Sequence, residues 1–117
     1  MREIVFYQTW SGRSPAFDFI DQLPRKQRDK VAWVLGIVMR ERIVSTQYLK
    51  KLTDTEGLWE VRAEYGGDAF RLLGFFDGPT FLILVSGFAK KTEHTPASEI
   101  ALATDRRRDY FRRKAQT

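Results

Sequence analysis

The residues here best placed by type and spacing to do chemistry are cations, with two glutamates beside them. The chain holds 20 Lys and Arg, 15 Asp and Glu, one His and no Cys. That excludes thiolate nucleophiles, disulfides and zinc ribbons, and leaves His94 as the only imidazole. No metal and no cofactor is expected from such a donor set. The stretch "SGFAKKTEHTP", residues 86 to 96, ends an apolar run at Lys90, Lys91, Glu93 and His94. An imidazole there can titrate near neutral pH and serve as general acid or base. The alternative is a solvated loop histidine.

A second set emerges from pairing the stretches on either side of "YGGD". If Gly66 and Gly67 form the turn, Val61 meets Leu72, Ala63 meets Phe70 and Trp59 lies over Gly74. Apolar residues meet apolar residues, and a slip of one would turn every side chain to the wrong face. The same register sets Arg62 opposite Arg71. Like charges so placed destabilise a sheet unless an anion sits between them. The planar fork of arginine suits phosphate. The competing reading is a surface network neutralised by Glu60 and Glu64, worth little. Extending through "DGPT" pairs Phe76 with Phe81 and Arg71 with Ser86, and puts Lys90 on the same face. Glu60 and Glu64 share that face as possible bases, but two neighbours on one strand are not a glycosidase signature. "GGDAF" lacks the length and the lysine of a phosphate loop.

These residues need elements to hold them. "EIVFYQT" alternates as a first strand. Ser14 and Pro15 start a helix that runs to about Leu23, and Pro24 opens a second with a Val31, Val34, Leu35, Val38 stripe. "VSTQYLKKLTDTEG" has no strong periodicity and reads as a linker with at most a short turn. "LWEVRAEY", "AFRLLGFF" and "FLILVSGF" then form a meander, the last strand apolar on both sides and therefore central. Thr95 and Pro96 start a final helix, "ASEIALATDRRRDYFRRK". The plan is α+β, in the order β-α-α-β-β-β-α, one domain over residues 1–117. The helices are expected to cover one face of a mostly antiparallel sheet and leave the other partly open.

Charge adds a partner class. Of the net charge of +5, residues 86–117 supply +4, from 8 basic and 4 acidic side chains. Such a patch attracts a polyanion, either nucleic acid or an acidic protein segment. It reads equally as a solvated basic helix face. No apolar run approaches the ~20 residues of a membrane span. "MREIVFYQTW" is unlike a signal peptide, so a cytoplasmic protein is expected.

Together "GLWEVRAEYGGDAFRLLGFF" and "FLILVSGFAKKTEHTPASEIALATDRRRDY" resemble the phage-derived HigB-type toxins of the RelE/ParE superfamily. The resemblance covers about half the chain, and the preceding strand and helical hairpin agree with it in order. It implies a RelE-like fold, with the helical hairpin on one face and a C-terminal helix. It also implies a toxin of a type II toxin–antitoxin system that enters the ribosomal A site and cleaves mRNA without a metal. The RNA 2′-hydroxyl would attack its own adjacent phosphate. The implied partners are ribosomal RNA, mRNA and a small helix-turn-helix, HigA-like antitoxin.

Carried onto this chain, Arg62 and Arg71 would bind phosphate, with Lys90 or Lys91 as the basic position after the last strand. His94 falls near a proton-transfer position, and Glu64 or Glu60 would be the base. Ser86 and the basic positions Arg106, Arg107, Arg108, Arg112 and Arg113 would contact RNA, or the basic helix would dock the antitoxin. The superfamily also contains gyrase inhibitors. The alternative is therefore a non-catalytic or ParE-like module that binds gyrase, nucleic acid or a regulatory partner.

Overall fold

Periodicity becomes eight elements in the computed structural model, which describes residues 1–117: β1 (Glu3–Phe6), α1 (Pro15–Asp21), α2 (Arg25–Arg40), β2 (Leu49–Lys51), β3 (Trp59–Tyr65), β4 (Asp68–Asp77), β5 (Phe81–Lys90) and α3 (Ala97–Ala115). Pro15, at the first helical position with its preset φ, starts α1. Ser14 helps only through its carbonyl, which accepts from the Asp18 N–H at 2.8 Å; its side chain makes no cap. On α2 the expected stripe Val31, Val34, Leu35 and Val38 is the buried side.

The sheet order is β1-β5-β4-β3-β2. β1 runs parallel to β5 and every other pairing is antiparallel. The β3–β4 hairpin has the expected register, with Trp59 opposite Gly74, Val61 opposite Leu72 and Arg62 opposite Arg71. Gly66 and Gly67 take φ of 59° and 86°. Two successive positive φ values are what a two-residue hairpin turn matched to sheet twist requires. β5 lies between β1 and β4, central as its two-sided apolarity implied.

Three expectations are corrected. The linker contains a strand: Leu49, Lys50 and Lys51 pair with Val61, Glu60 and Trp59 as β2. Three residues are too few to show a period, so only the neighbour β3 reveals this one.

The β4–β5 register also differs. Asp77, not Phe76, faces Phe81, and Val85 is an extra residue that shifts the ladder between Leu73 and Gly74. Arg71 therefore faces Phe88, and Ser86 faces Leu73. The hairpin offset and the bulge each move the register by one. Their combined shift is even, so Ser86 and Lys90 keep the face of Arg71 although Ser86 loses its place opposite it.

Finally, the helices do not all share one face. α1 and α2 pack on Val61, Ala63, Phe70, Leu72, Leu82 and Leu84. α3 packs on the opposite set, Leu58, Leu73, Phe75, Ile83 and Val85. α1 sits so close to β5 that a Cβ on Gly87 would fall 2.5 Å from the Phe19 ring.

α3 buries only Ala103 and Asp109 completely. Polar ties supplement the packing of Ile100, Ala103, Tyr110 and Phe111 on the sheet. Tyr7 donates to Asp109 at 2.6 Å, Tyr110 donates to Asp77 at 2.7 Å, and Lys114 holds the same Asp77 at 2.6 Å. Burial and the hydrogen bond to Asp77 push the Tyr110 phenol up to about 12. The end of the sheet bearing Arg62, Arg71 and Lys90 lies outside this contact. No helix is long and apolar enough to cross a membrane.

Candidate phosphate site

Alternation along β3 sends Glu60, Arg62 and Glu64 to the face that α3 only partly covers. Pairing with β4 adds Arg71 from across the hairpin. Two of these charges are almost wholly buried, Arg71 at 3% exposed and Glu60 at 2%. Glu60 Oε1 lies 3.6 Å from Nε of both Arg62 and Arg71. The anion required between the opposed arginines is thus, in part, an internal carboxylate.

Charge compensation leaves hydrogen-bonding capacity unused. At 3.6 Å the Glu60 contacts are ion pairs rather than hydrogen bonds, and both Nε atoms are buried without a partner. Arg71 Nη1 donates to the Phe70 carbonyl at 3.0 Å, and Arg62 Nη1 to the Thr46 carbonyl at 3.3 Å. Burial, and then the Arg62 charge, lower the Arg71 pKa from its usual value. Burial followed by the charge of Arg71 does the same to Lys90, with Arg62 and Lys50 adding to it. The mutual lowering marks a concentration of positive charge that a bound anion would relieve.

Two polar cavities meet at Arg62. The smaller, about 90 Å³, is lined by Gln47, Arg62, Glu64 and Arg71. The larger, about 260 Å³, takes Lys50, Lys51, Glu60, Arg62, Lys90 and His94 among its walls. Roomier hollows of about 470 and 430 Å³ lie by β1 and the end of α3. They are mainly apolar, and their Lys114 is already committed to Asp77. Another polar hollow, about 340 Å³, gathers Arg2, Arg40 and Arg42, but Arg2 there is spent on the carbonyls of Val38, Glu41 and Arg42. Buried charge, Glu60 and Arg71, distinguishes the two cavities at Arg62. No three His, Asp or Glu side chains converge as metal ligands.

Arg62, Arg71, Lys90, Glu64 and His94 therefore line adjoining cavities, with Arg62 shared. Lys91 is exposed and borders neither. Ser86 is corrected: it is 2% exposed, and its hydroxyl accepts from Arg106 Nη1 at 2.8 Å, so it braces the fold and does not line the site. The same Nη1 donates to the carbonyl of the bulged Val85 at 2.9 Å, fastening α3 to the irregular part of β5.

The other arginines of α3 are also engaged. Arg107 lies over Phe75 and Phe111, Arg108 pairs with Glu56, and Arg112 and Arg113 pair with Asp109. Arg113 also lies over Tyr7 and Trp10. Much of "RRRDYFRRK" docks its own helix. Arg108 and Arg112 keep side chains 58% and 63% exposed.

The sequence reading missed Lys50, Lys51, Gln47 and Thr95. Their only signal was the charge pair Lys50–Lys51 beside an unrecognised strand. Thr95 Oγ1 donates to Glu60 Oε2 at 2.6 Å, a contact between side chains 35 residues apart.

A helical hairpin on one face of a mostly antiparallel sheet, with a C-terminal helix on the other, is the RelE-like α+β class. Within that class the chain belongs to the phage-derived Gp49-like protein family (DUF891), whose model matches residues 18–108. This family is associated with RelE-like and toxin-like proteins. The matched span contains both cavities' charged walls. A comparison with curated proteins found no match.

Proposed function

We propose that this protein is the toxin of a type II toxin–antitoxin pair, of HigB type, and that it cleaves mRNA in the ribosomal A site. The observation that carries the reading is the Arg62–Arg71 pair: two opposed guanidinium groups, one of them almost wholly buried, beside Lys90 in an open polar cleft. Phosphodiester cleavage by an internal 2′-hydroxyl needs preorganised positive charge on the phosphorane more than a dedicated nucleophile.

In this reading the RNA phosphate sits at the junction of the two cavities, held by Arg62 and Arg71. The 2′-oxygen forms a bond to phosphorus as the bond to the 5′-oxygen breaks, giving a cyclic phosphate and a free 5′-hydroxyl. Glu64, in the smaller cavity, takes the 2′-hydroxyl proton. Lys90 or His94, in the larger, protonates the departing 5′-oxygen. A lysine with a lowered pKa is the better acid for that step. The antitoxin would be a small helix-turn-helix protein.

The test is transcript mapping by primer extension after induced expression of wild type, Arg71→Ala and Arg71→Lys, with folding checked by circular dichroism. Discrete new 5′ ends with wild type, lost in a folded Arg71→Ala protein, are expected. Intact transcripts accompanied by DNA damage would replace this reading with a gyrase-directed one.

A further inference from the structure

Glu60 is the least exposed charged residue of the site, and both its oxygens are in use. Oε1 faces Nε of Arg62 and Arg71, 3.6 Å from each. Oε2 accepts the Thr95 hydroxyl at 2.6 Å. One carboxylate therefore touches β3, β4 and the loop that carries His94. Each arginine is held on its Nε side by this carboxylate and at Nη1 by a backbone carbonyl. Neither Nη2 has a hydrogen bond within the protein, and both side chains line the smaller cavity. The arrangement sets one counter-charge and one hydrogen bond against each fork and leaves Nη2 of each for a ligand.

We propose that Glu60 and Thr95 are the positioning pair of this site: together they orient the two guanidinium groups and tie the His94 loop to them. The inference rests on the phosphate-binding reading for its use, but the bridge itself is testable without RNA. Glu60 does not contact the reacting atoms in this scheme. It acts through Arg62 and Arg71, while Thr95 connects that arrangement to the segment between β5 and α3. His94 lies next to Thr95 and lines the same cavity as Glu60 and Lys90. A loosened loop displaces a proton carrier, and misplacement by ~1 Å can cost roughly a hundredfold in rate.

A merely electrostatic role for Glu60 predicts the opposite sign. Glu60→Gln removes one negative charge beside two arginines, so simple Coulomb attraction would tighten anion binding. Loss of positioning weakens it instead.

The experiment uses the full chain and the arginine Nε–H signals of Arg62 and Arg71 in nitrogen-15 spectra, with the His94 ring signals alongside. In the free protein, Thr95→Val is expected to shift all three sets and Thr95→Ser to restore them. Unchanged signals in Thr95→Val would overturn the proposal. Titration with inorganic phosphate then compares wild type with Glu60→Gln. The expected result is a Kd raised roughly tenfold to a hundredfold, the loss of about one charged hydrogen bond, and an unchanged or lower Kd would also overturn it. A wild-type protein whose arginines ignore phosphate would count against the proposed function, while the signals of the free variants would still decide whether the bridge exists.

Discussion

Tyr7, just past the first strand, and Asp109, in the middle of the last helix, meet through a 2.6 Å hydrogen bond between residues 102 apart in sequence. The phenol donates and the carboxylate accepts, while Arg112 and Arg113 hold the same carboxylate at 3.0 and 2.8 Å. Because Ala103 is the one buried apolar side chain of α3, with Ile100, Tyr110 and Phe111 only partly buried, this cluster is a principal tie between the helix and the sheet. A buried hydrogen bond to a charged group contributes about 1.5–3 kcal/mol. Tyr7→Phe should therefore lower Tm by several degrees and leave the hairpin core intact. Asp109→Asn should cost more, since it also strips two arginines of their counter-charge. Thermal unfolding followed by circular dichroism checks both.

The same ties predict the pH range over which α3 stays docked. The hydrogen bond from Tyr7 holds Asp109 below its ordinary 3.8, and the one from Lys114 does the same for Asp77. A depressed carboxylate adds stability above its unfolded pKa and loses it as pH falls through the folded value. Tyr110 behaves in reverse. Its raised pKa adds stability below the ordinary 10.0, and that is lost as pH rises toward about 12. Helix docking should weaken below about 3.8 and again above about 10. Tyr110→Phe should flatten the alkaline limb, which hydrogen exchange along α3 reads directly.

Removing Arg71 should cost on the order of a hundredfold or more in RNA cleavage. Arg71→Lys should recover only part of it, since an ammonium cannot reproduce the fork. Arg62→Ala should be nearly as damaging, because that side chain lines both cavities. Single-turnover cleavage on programmed ribosomes would measure each.

Lys90 should set the alkaline limb of the pH–rate profile. Its pKa is lowered first by burial and then by Arg71, with Arg62 and Lys50 adding to the effect. If it donates the leaving-group proton, the rate falls as pH rises through that lowered value. Lys50→Gln removes one neighbouring cation and should move the limb upward. Lys90→Arg should abolish it, since arginine does not titrate in the range. A limb that stays in place in both variants would assign the acid to His94 instead.

Binding of single-stranded RNA should weaken with salt, and the residues responsible should be those with free charge. Lys50→Gln and Lys51→Gln are each expected to reduce the slope of log K against log salt by about 0.7. Arg107→Gln should change it far less, because that guanidinium already lies over Phe75 and Phe111. Equal slopes for all three variants would show that charge on the cleft and on α3 count alike.

Local rules made much of the fold legible. Pro15 and Pro24 marked helix starts, the Val31 to Val38 stripe marked the buried side of α2, and the double glycine fixed the hairpin that brings Arg62 opposite Arg71. Each is a short-range effect, set by residues a few positions apart or by a tight turn. β2 was illegible because three residues carry no period, and with it went Lys50 and Lys51. The Val85 bulge was illegible because an extra residue in a uniformly apolar strand leaves alternation unchanged in appearance.

The sequence alone determined which side chains of β3 and β4 share a face of the sheet, and that Ser86 and Lys90 join Arg71, because period two is local and survives an even shift in register. Between the DGPT turn and the Val85 bulge, where the shift is one residue, it put Ile83 and Val85 on the wrong side. Only the tertiary structure decided which of them are free. Docking α3 opposite the helical hairpin committed Ser86 and Arg106 to each other and turned the basic segment inward onto Tyr7, Phe75 and Asp109. The loop between β5 and α3 brought Thr95 onto Glu60, the carboxylate that the β3–β4 hairpin sets beside the two arginines. Tyr7 and Asp109, Ser86 and Arg106, and Glu60 and Thr95 lie far apart in the chain, and the distance within each pair is set by how the elements pack. Local pairing already offered Glu60 as a counter-charge for Arg62 and Arg71, but no local pattern could announce that this carboxylate is buried and held by Thr95.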